Sequence, residues 1–247
     1  MANKIYGLIG HPLGHSFSRS FFNEKFEKEG IDAEYMNFDL VDISKIKDIL
    51  ENAQICGLNV TIPYKQQVFP FLSDINTAAK DIGAVNVIKF KKTNKGIETI
   101  GYNTDVIGFR KSISPLLNES HKRALILGTG GASKAVRYAL KKMGIGYKFV
   151  SRTKSDEVYT YEELNEQILK DYTIIINTTP LGMHPNIDNC PNIPYEFTSP
   201  NHVCFDLVYN PIETKFLRLA KEQGASIKNG LEMLHIQAIE AWKIWNS

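Results

Sequence analysis

Apolar side chains recur along this sequence with two periods, and the switching between them predicts most of the elements. A short apolar run at 5–9 reads as a buried strand, broken at Gly10-His11-Pro12. Residues 19–29 carry Phe21, Phe22 and Phe26 at helical spacing, so a helix is expected there, capped by Ser18 and ended by Gly30. A strand at 34–40 follows, then a helix at 43–53 that turns Ile46, Ile49 and Leu50 inward. A third strand, 55–60, runs into Thr61-Ile62-Pro63-Tyr64-Lys65. After a short helix at 78–82, strands at 86–90 and 97–102 form a hairpin across 92–96, where lysines, Asn and Gly favour a turn. Two βα units followed by a hairpin predict a mixed sheet with helices around it, a domain of its own.

The second half opens differently. Residues 105–117 read as a helix interrupted near Pro115, a natural bridge to a second domain. An apolar strand at 124–127 leads into Gly128, Gly130 and Gly131, a helix at 132–143 that stops at Gly144, and a strand at 147–150. Strand, glycine turn, helix, strand is the βαβ unit that places a dinucleotide pyrophosphate on a helix N-terminus. Gly128 permits the tight turn, and Gly130 lets backbone N–H groups approach phosphates without a Cβ in the way. Ser133 stands where the fingerprint usually has its third glycine, so the motif is incomplete. A helix at 161–169, a strand at 172–177, a proline-rich irregular stretch, a strand at 203–208, a helix at 213–223 and a short strand at 225–228 follow. The last helix, 231–245, carries a core stripe of Leu231, Leu234, Ala238, Ala241, Trp242 and Trp245. The expected architecture is two α/β domains with a cleft between them.

Composition removes whole classes of function. With 247 residues, 43% hydrophobic and 23% charged, the chain has the make-up of a folded soluble protein. A net charge of +2 offers no general attraction to nucleic acid or membrane. No apolar run approaches the ~18 residues of a membrane span, and the N-terminus lacks a signal peptide's long apolar core. Cys56, Cys190 and Cys204 form no C-x-x-C and read as free thiols in a reducing cytoplasm. The six histidines form no metal-binding spacing, and no metal is expected.

Charge sharpens the cofactor. An NAD site usually has a carboxylate roughly 20 residues past the glycines. Here the second strand ends in Ser151-Arg152-Thr153-Lys154, with no carboxylate before Asp156. A guanidinium clamps a 2′-phosphate and a hydroxyl adds a donor, which favours NADP over NAD by roughly ten- to a few-hundredfold. Hydride transfer also needs a group that handles a proton. His121, His184, His202 and His235 have no obvious partner, and His11 and His15 lie in the first loop; all six read as surface or packing residues. Asn59 and Thr61 share a strand face, and Pro63 turns the chain so that Lys65 projects from the strand end, where open α/β sheets place ligands. Asp105 follows a strand and begins a helix. On spacing alone Asp105 reads as a helix N-cap and Lys65 as a solvated surface lysine.

Nine blocks in order change that balance: GHSFS (14–18), NVTIPYK (59–65), GAVN (83–86), GYNTD (101–105), GTGGAS (128–133), SRT (151–153), NTTPLGM (177–183), DLVYNPIET (206–214) and GLEMLHIQA (230–238). Over nearly its whole length the chain resembles the shikimate dehydrogenase family. The resemblance implies reversible, NADPH-dependent reduction of 3-dehydroshikimate to shikimate, in the pathway to chorismate and the aromatic amino acids. It implies an N-terminal mixed-sheet substrate domain at 1–105 plus about 229–247, and a Rossmann-like NADP-binding domain at 106–228, with the C-terminal helix returning toward the cleft. Lys65 and Asp105 match the catalytic pair: the lysine donates a proton to the carbonyl oxygen, and the aspartate orients the lysine while binding a substrate hydroxyl. Ser16 and Ser18 match hydroxyls that hold the shikimate carboxylate, with Tyr209 close by. Asn59, Thr61, Asn86 and Gln237 match polar groups around the substrate hydroxyls. Gly128, Gly130, Gly131, Ala132 and Ser133 match the phosphate loop, Arg152 and Thr153 the 2′-phosphate site, and Thr178, Met183, Leu207 and Gly230 the wall beside the nicotinamide.

Some positions depart from the family pattern. Arg19 stands where a proline is common, Phe22 where histidine is common, Ser151 for asparagine and Thr129 for alanine. Arg19 adds a cation near the carboxylate-binding serines and bears on which acids are accepted. The expected partner is a small-molecule substrate, without nucleic acid or membrane, in a cytoplasmic monomer or homodimer. Two other readings stay open: a quinate/shikimate dehydrogenase of broader range, and a non-catalytic NADP-binding sensor or scaffold.

Overall fold

Parallel and antiparallel pairing combine in the first sheet of the computed structural model, which describes residues 4–14, 16–94 and 96–247. The elements in chain order are β1 (Lys4–Gly10), α1 (Phe17–Glu29), β2 (Ala33–Asp39), α2 (Ile46–Leu50), β3 (Ile55–Val60), β4 (Asp74–Ile75), α3 (Thr77–Ile82), β5 (Val87–Thr93) and β6 (Gly96–Tyr102). Strands follow the order β2-β1-β3-β5-β6-β4. β1 lies parallel to β2 and β3, whereas β5 runs antiparallel to β3 and β6. Strand alternation sends Ile9 and Leu58 to one face and Tyr6 and Val87 to the other, where Phe22 and Phe26 of α1 cover them.

Several ends differ from the sequence expectation. α1 is capped by Ser16, whose Oγ accepts the Arg19 N–H at 3.3 Å, and not by Ser18, which lies in the first turn. A capping hydroxyl reaches the N–H two or three residues ahead, and only Ser16 stands outside the helix to do so. The helix expected at 43–53 breaks into a 3₁₀ turn, Ile43–Lys45, and the short α2. Asn52 ends it by taking the Gln54 N–H on its side chain and the Ile55 N–H on its carbonyl. The hairpin is tighter than expected, with Thr93 paired to Gly96. His15 and Lys95, read as loop and turn residues, lie outside the described residues.

The second sheet is wholly parallel. Its elements are α4 (Asp105–Ile113), β7 (Arg123–Leu127), α5 (Gly131–Lys142), β8 (Gly146–Ser151), β9 (Val158–Thr160), α6 (Glu166–Asp171), β10 (Ile174–Asn177), β11 (Val203–Asp206), α7 (Lys215–Glu222), β12 (Ser226–Lys228) and α8 (Leu231–Trp245). The order β9-β8-β7-β10-β11-β12 is the 3-2-1-4-5-6 arrangement of a Rossmann sheet. β10 and β11 are buried at every position because helices cover both faces. Ala124 and Ile126 of β7 join one core with Phe109 and Val136, while Leu125 and Leu127 join the other with Phe216 and Leu217. β9 has no counterpart among the expected strands, and the helix expected at 161–169 splits. Thr160 and Glu163 form a capping box on a 3₁₀ turn, and Asn165 then caps α6 by accepting the Ile168 N–H.

The chain divides into two compact units, one of residues up to Thr104 with Gln237–Ser247, the other Asp105–Ile236. The boundaries expected from the sequence are 105/106 and 228/229. α8 crosses between units in mid-helix: Met233 packs in the core of the second unit, and Ala238, Ala241 and Trp245 in that of the first. Gly57 of β3 is required by this packing, since a Cβ there would meet the Trp245 ring at 2.4 Å.

Candidate functional site

In the second unit the strand order reverses between β7 and β10, and the loops after these two strands meet at that point. Gly128 ends β7 with φ +97°, a conformation that side chains rarely adopt, and its N–H binds the Val150 carbonyl at 2.8 Å. Thr178 closes from the other strand, its Oγ1 donating to the Leu127 carbonyl at 2.7 Å. α5 starts at Gly131 with Gly130 as N-cap, and no side chain caps its first turn. A Cβ on Gly130 or Gly131 would meet no protein atom within 4 Å. The positive end of a twelve-residue helix is therefore open to an anion. Ser133 is buried, and its hydroxyl donates to the Gly130 carbonyl at 2.7 Å, which stiffens the turn from inside.

A cavity of about 440 Å³ extends from this turn. Gly128, Thr129, Gly130, Ser151, Arg152, Tyr161, Thr178, Thr179, Pro180 and Leu181 line it. Lys154 is engaged by Glu163, whereas Arg152 is exposed at the cavity. Thr153 is exposed in the same turn, its N–H bound to Ser151 Oγ at 3.3 Å. Tyr161 stands near Arg152, its phenol pKa raised by burial and partly offset by the guanidinium. The chemistry of this wall suits a dinucleotide: uncapped backbone N–H groups for a pyrophosphate, a guanidinium for a further phosphate, and apolar Pro180 and Leu181. Sequence reasoning misses Tyr161 and Thr179, because neither belongs to the glycine turn that signals the site.

Beneath the loop lies a buried polar network. Asn177 accepts the Thr179 N–H at 3.0 Å and its hydroxyl at 2.6 Å, and donates to Asp206 Oδ1 at 3.0 Å. Asp206 also accepts the Val208 N–H and the Thr214 hydroxyl. Gly230 packs directly on the segment after β11, its N–H bound to the Val208 carbonyl at 3.1 Å. A Cβ there would lie 2.2 Å from the Leu207 carbonyl oxygen. Met183 and Tyr209 are exposed residues of this unit. Asp105 opens α4 as its first helical residue and is 5% exposed.

In the first unit, Lys65 is half-buried in the turn after β3, its carbonyl accepting the Val85 N–H at 2.7 Å. That bond ties the turn to the segment that carries Asn86. Asn86 is 5% exposed; its Oδ1 accepts the Thr104 N–H at 2.7 Å and its Nδ2 donates to Thr104 Oγ1 at 3.1 Å. Asn59 accepts the Tyr35 hydroxyl at 2.7 Å and donates to the Asn86 carbonyl at 3.3 Å. Both amides therefore hold the framework itself, the part of their chemistry that a motif does not show. Thr61 binds the Ile9 carbonyl through its N–H at 2.8 Å. Ser16 and Ser18 stand at the start of α1, and Gln237 is half-buried on α8. His11 pairs with Asp39 at 2.6 Å, and His121 and His202 are buried with hydrogen-bonded rings. Among the described residues no three His, Cys, Asp or Glu side chains cluster to hold a metal, and no helix is long and apolar enough to cross a membrane.

Residues 8–88 match the family described as the shikimate dehydrogenase substrate binding domain. A shikimate dehydrogenase (NADP(+)) of Aquifex aeolicus is 39% identical over 256 residues, covering 98% of this chain and 91% of the relative. The crystal structure of shikimate dehydrogenase from Aquifex aeolicus superposes with a TM-score of 0.87 at 37% identity, covering 99% of this chain and 92% of that one. A shikimate 5-dehydrogenase from Thermus thermophilus, in complex with NADP(H) and shikimate, superposes with a TM-score of 0.84 at 27% identity over 98% of this chain and 93% of that one.

Proposed function

The chain belongs to the shikimate dehydrogenase family, and on that premise we propose that it catalyses the reversible, NADP-dependent reduction of 3-dehydroshikimate to shikimate, a step toward chorismate and the aromatic amino acids. The observation that carries this reading is the cavity at the reversal of a Rossmann-order sheet, which presents Arg152 where an NAD site presents a carboxylate. NADP, when bound, supplies or accepts the hydride. Gly128, Gly130, Gly131, Ala132 and Ser133 form the turn that holds its pyrophosphate, Arg152 and Thr153 hold the 2′-phosphate, and Thr178, Met183, Leu207 and Gly230 flank the nicotinamide.

Lys65 and Asp105 handle the proton. Lys65 protonates the carbonyl oxygen as negative charge develops there and takes the proton back in oxidation, help worth typically ~10²–10⁴-fold in rate. Asp105 is the carboxylate of the pair and accepts a substrate hydroxyl. Ser16 and Ser18 hold the substrate carboxylate at the N-terminal end of α1, where the helix dipole favours an anion, and Tyr209 adds a hydroxyl. Asn59, Thr61, Asn86 and Gln237 bind the ring hydroxyls. Arg19, exposed in the first turn of α1, adds charge that favours acids. The protein acts as a cytoplasmic monomer or homodimer on a small-molecule substrate; its three free cysteines support a reducing compartment.

The test mixes purified protein with shikimate or quinate and with NADP or NAD, following reduced cofactor by absorbance. Turnover of shikimate with NADP is expected. Its absence would sink the reading, and equal or faster turnover of quinate would move the protein to the broader quinate/shikimate class.

A further inference from the structure

We propose that Tyr35 is a positioning residue whose hydroxyl sets the orientation of the Asn59 amide on β3, and so tunes binding of the substrate and not of the cofactor. The inference rests on the assignment of Asn59 to the substrate.

Tyr35 is fully buried, and every part of it is held. Its ring stacks on Phe22 of α1 at 4.9 Å and 11°. Trp245 of α8 lies 6.5 Å away on a tilted plane. Both backbone groups are bound by one side chain: Asn23 Oδ1 accepts the Tyr35 N–H at 2.8 Å, and Asn23 Nδ2 donates to the Tyr35 carbonyl at 3.2 Å. β2 is an edge strand, so this amide does for Tyr35 what a further strand would. The only freedom left to the residue is the proton on its hydroxyl.

That proton goes to Asn59 Oδ1 at 2.7 Å. Burial raises the phenol pKa, so the group stays a donor throughout the working range of an enzyme. A fixed donor fixes the amide opposite it. Asn59 must turn its oxygen to Tyr35 and its NH₂ the other way, where it donates to the Asn86 carbonyl at 3.3 Å. Asn86 in turn binds the Thr104 N–H at 2.7 Å, next to Asp105. One phenol thus dictates which face of Asn59 a ligand meets, and that face carries donors suited to hydroxyl oxygens. A phenylalanine would pack equally well but would remove the donor that holds the half-buried Asn59 oxygen, leaving it free to exchange with the NH₂.

Tyr35→Phe in the full chain tests this, with shikimate varied at saturating NADP and NADP varied at saturating shikimate, beside the wild type. KM for shikimate is expected to rise about tenfold with KM for NADP unchanged, and the melting temperature to stay close to wild type. Unchanged KM for shikimate, or equal losses toward both ligands, would overturn the proposal. Asn59→Ala and the double variant supply the second readout. If Tyr35 acts through Asn59, the double variant is no worse than Asn59→Ala within about twofold, whereas additive losses would refute it. Should Tyr35→Phe fail to fold, Asn59→Asp replaces it: the carboxylate keeps the Tyr35 bond but loses the NH₂, so KM for shikimate is expected to rise as in Asn59→Ala, and an unchanged KM would overturn the proposal. A wild type inactive on shikimate would defeat the proposed function and this inference together; an active wild type with an indifferent Tyr35→Phe would defeat this inference alone.

Discussion

Asp206 ends β11 with no exposed surface, and removing its charge should reveal what that burial costs. Its Oδ1 accepts the Val208 N–H and Asn177 Nδ2, both at 3.0 Å, and its Oδ2 accepts the Thr214 hydroxyl at 2.6 Å. Those bonds favour the carboxylate, yet desolvation outweighs them and pushes the pKa from 3.8 up to about 6. An acid whose folded pKa lies above its unfolded value binds its proton more tightly when folded. Its stabilising contribution is complete below the unfolded pKa and is lost as pH rises through about 6. A rise of this size corresponds to roughly 3 kcal/mol. Asp206→Asn keeps the shape and the bonds, because the amide oxygen can accept from Val208 and Asn177 while Thr214 turns to accept from the NH₂. The neighbouring Tyr195 and Cys204 add no titration in this range, since burial pushes both upward, Cys204 to about 12. The variant should therefore gain on the wild type by ~3 kcal/mol between about pH 4 and pH 7. Urea unfolding followed by far-UV circular dichroism measures this; tryptophan fluorescence does not, because Trp242 and Trp245 both belong to the other unit. A difference between the two proteins that stays flat with pH, or shrinks as pH rises, would refute the reasoning.

Three further outcomes are expected. Lys65→Ala should lower turnover of shikimate by ~10²-fold or more while NADP affinity, measured by titration, stays near wild type. Arg152→Ala should cut the ratio of kcat/KM for NADP to that for NAD by roughly ten- to a few-hundredfold, read from initial rates with each cofactor. Gly230→Ala places a methyl 2.2 Å from a backbone oxygen that cannot swing aside, and should destabilise by ~1–3 kcal/mol. Calorimetry would show this as a melting temperature lower by several degrees.

Local chemistry made the regular elements legible in the amino-acid sequence. Strand alternation and helical spacing are properties of a few neighbouring residues, so β3 and α8 appear with the limits the sequence predicts. The glycine turn is legible for the same reason: Gly128 needs its positive φ whatever surrounds it. Ends set by competition between side chains were harder to read. Ser16 and Ser18 are both plausible caps until the helix start is known, and Asn52 stops α2 through its own amide. β4 and β9, of two and three residues, are too short to show any period and exist only because a neighbouring strand offers its edge.

For the candidate site, the sequence singled out side chains whose chemistry suits a dinucleotide and a polyol. Only the tertiary structure decided how they are held. Tyr35 reads as one apolar position in a strand, and Asp206 as the last residue of another; the fold makes the first a donor to Asn59 and the second the anchor of Asn177 and the Thr179 loop. The boundary between units inside α8 is of the same kind: Met233 lies outside the helical stripe read from the sequence, yet it packs in the core of the second unit, whereas Ala238 of the stripe packs in that of the first. Period and turn chemistry are written in adjacent residues. Burial, and the hydrogen-bond partner that burial demands, arise between residues far apart in the chain, and come into being only when it folds.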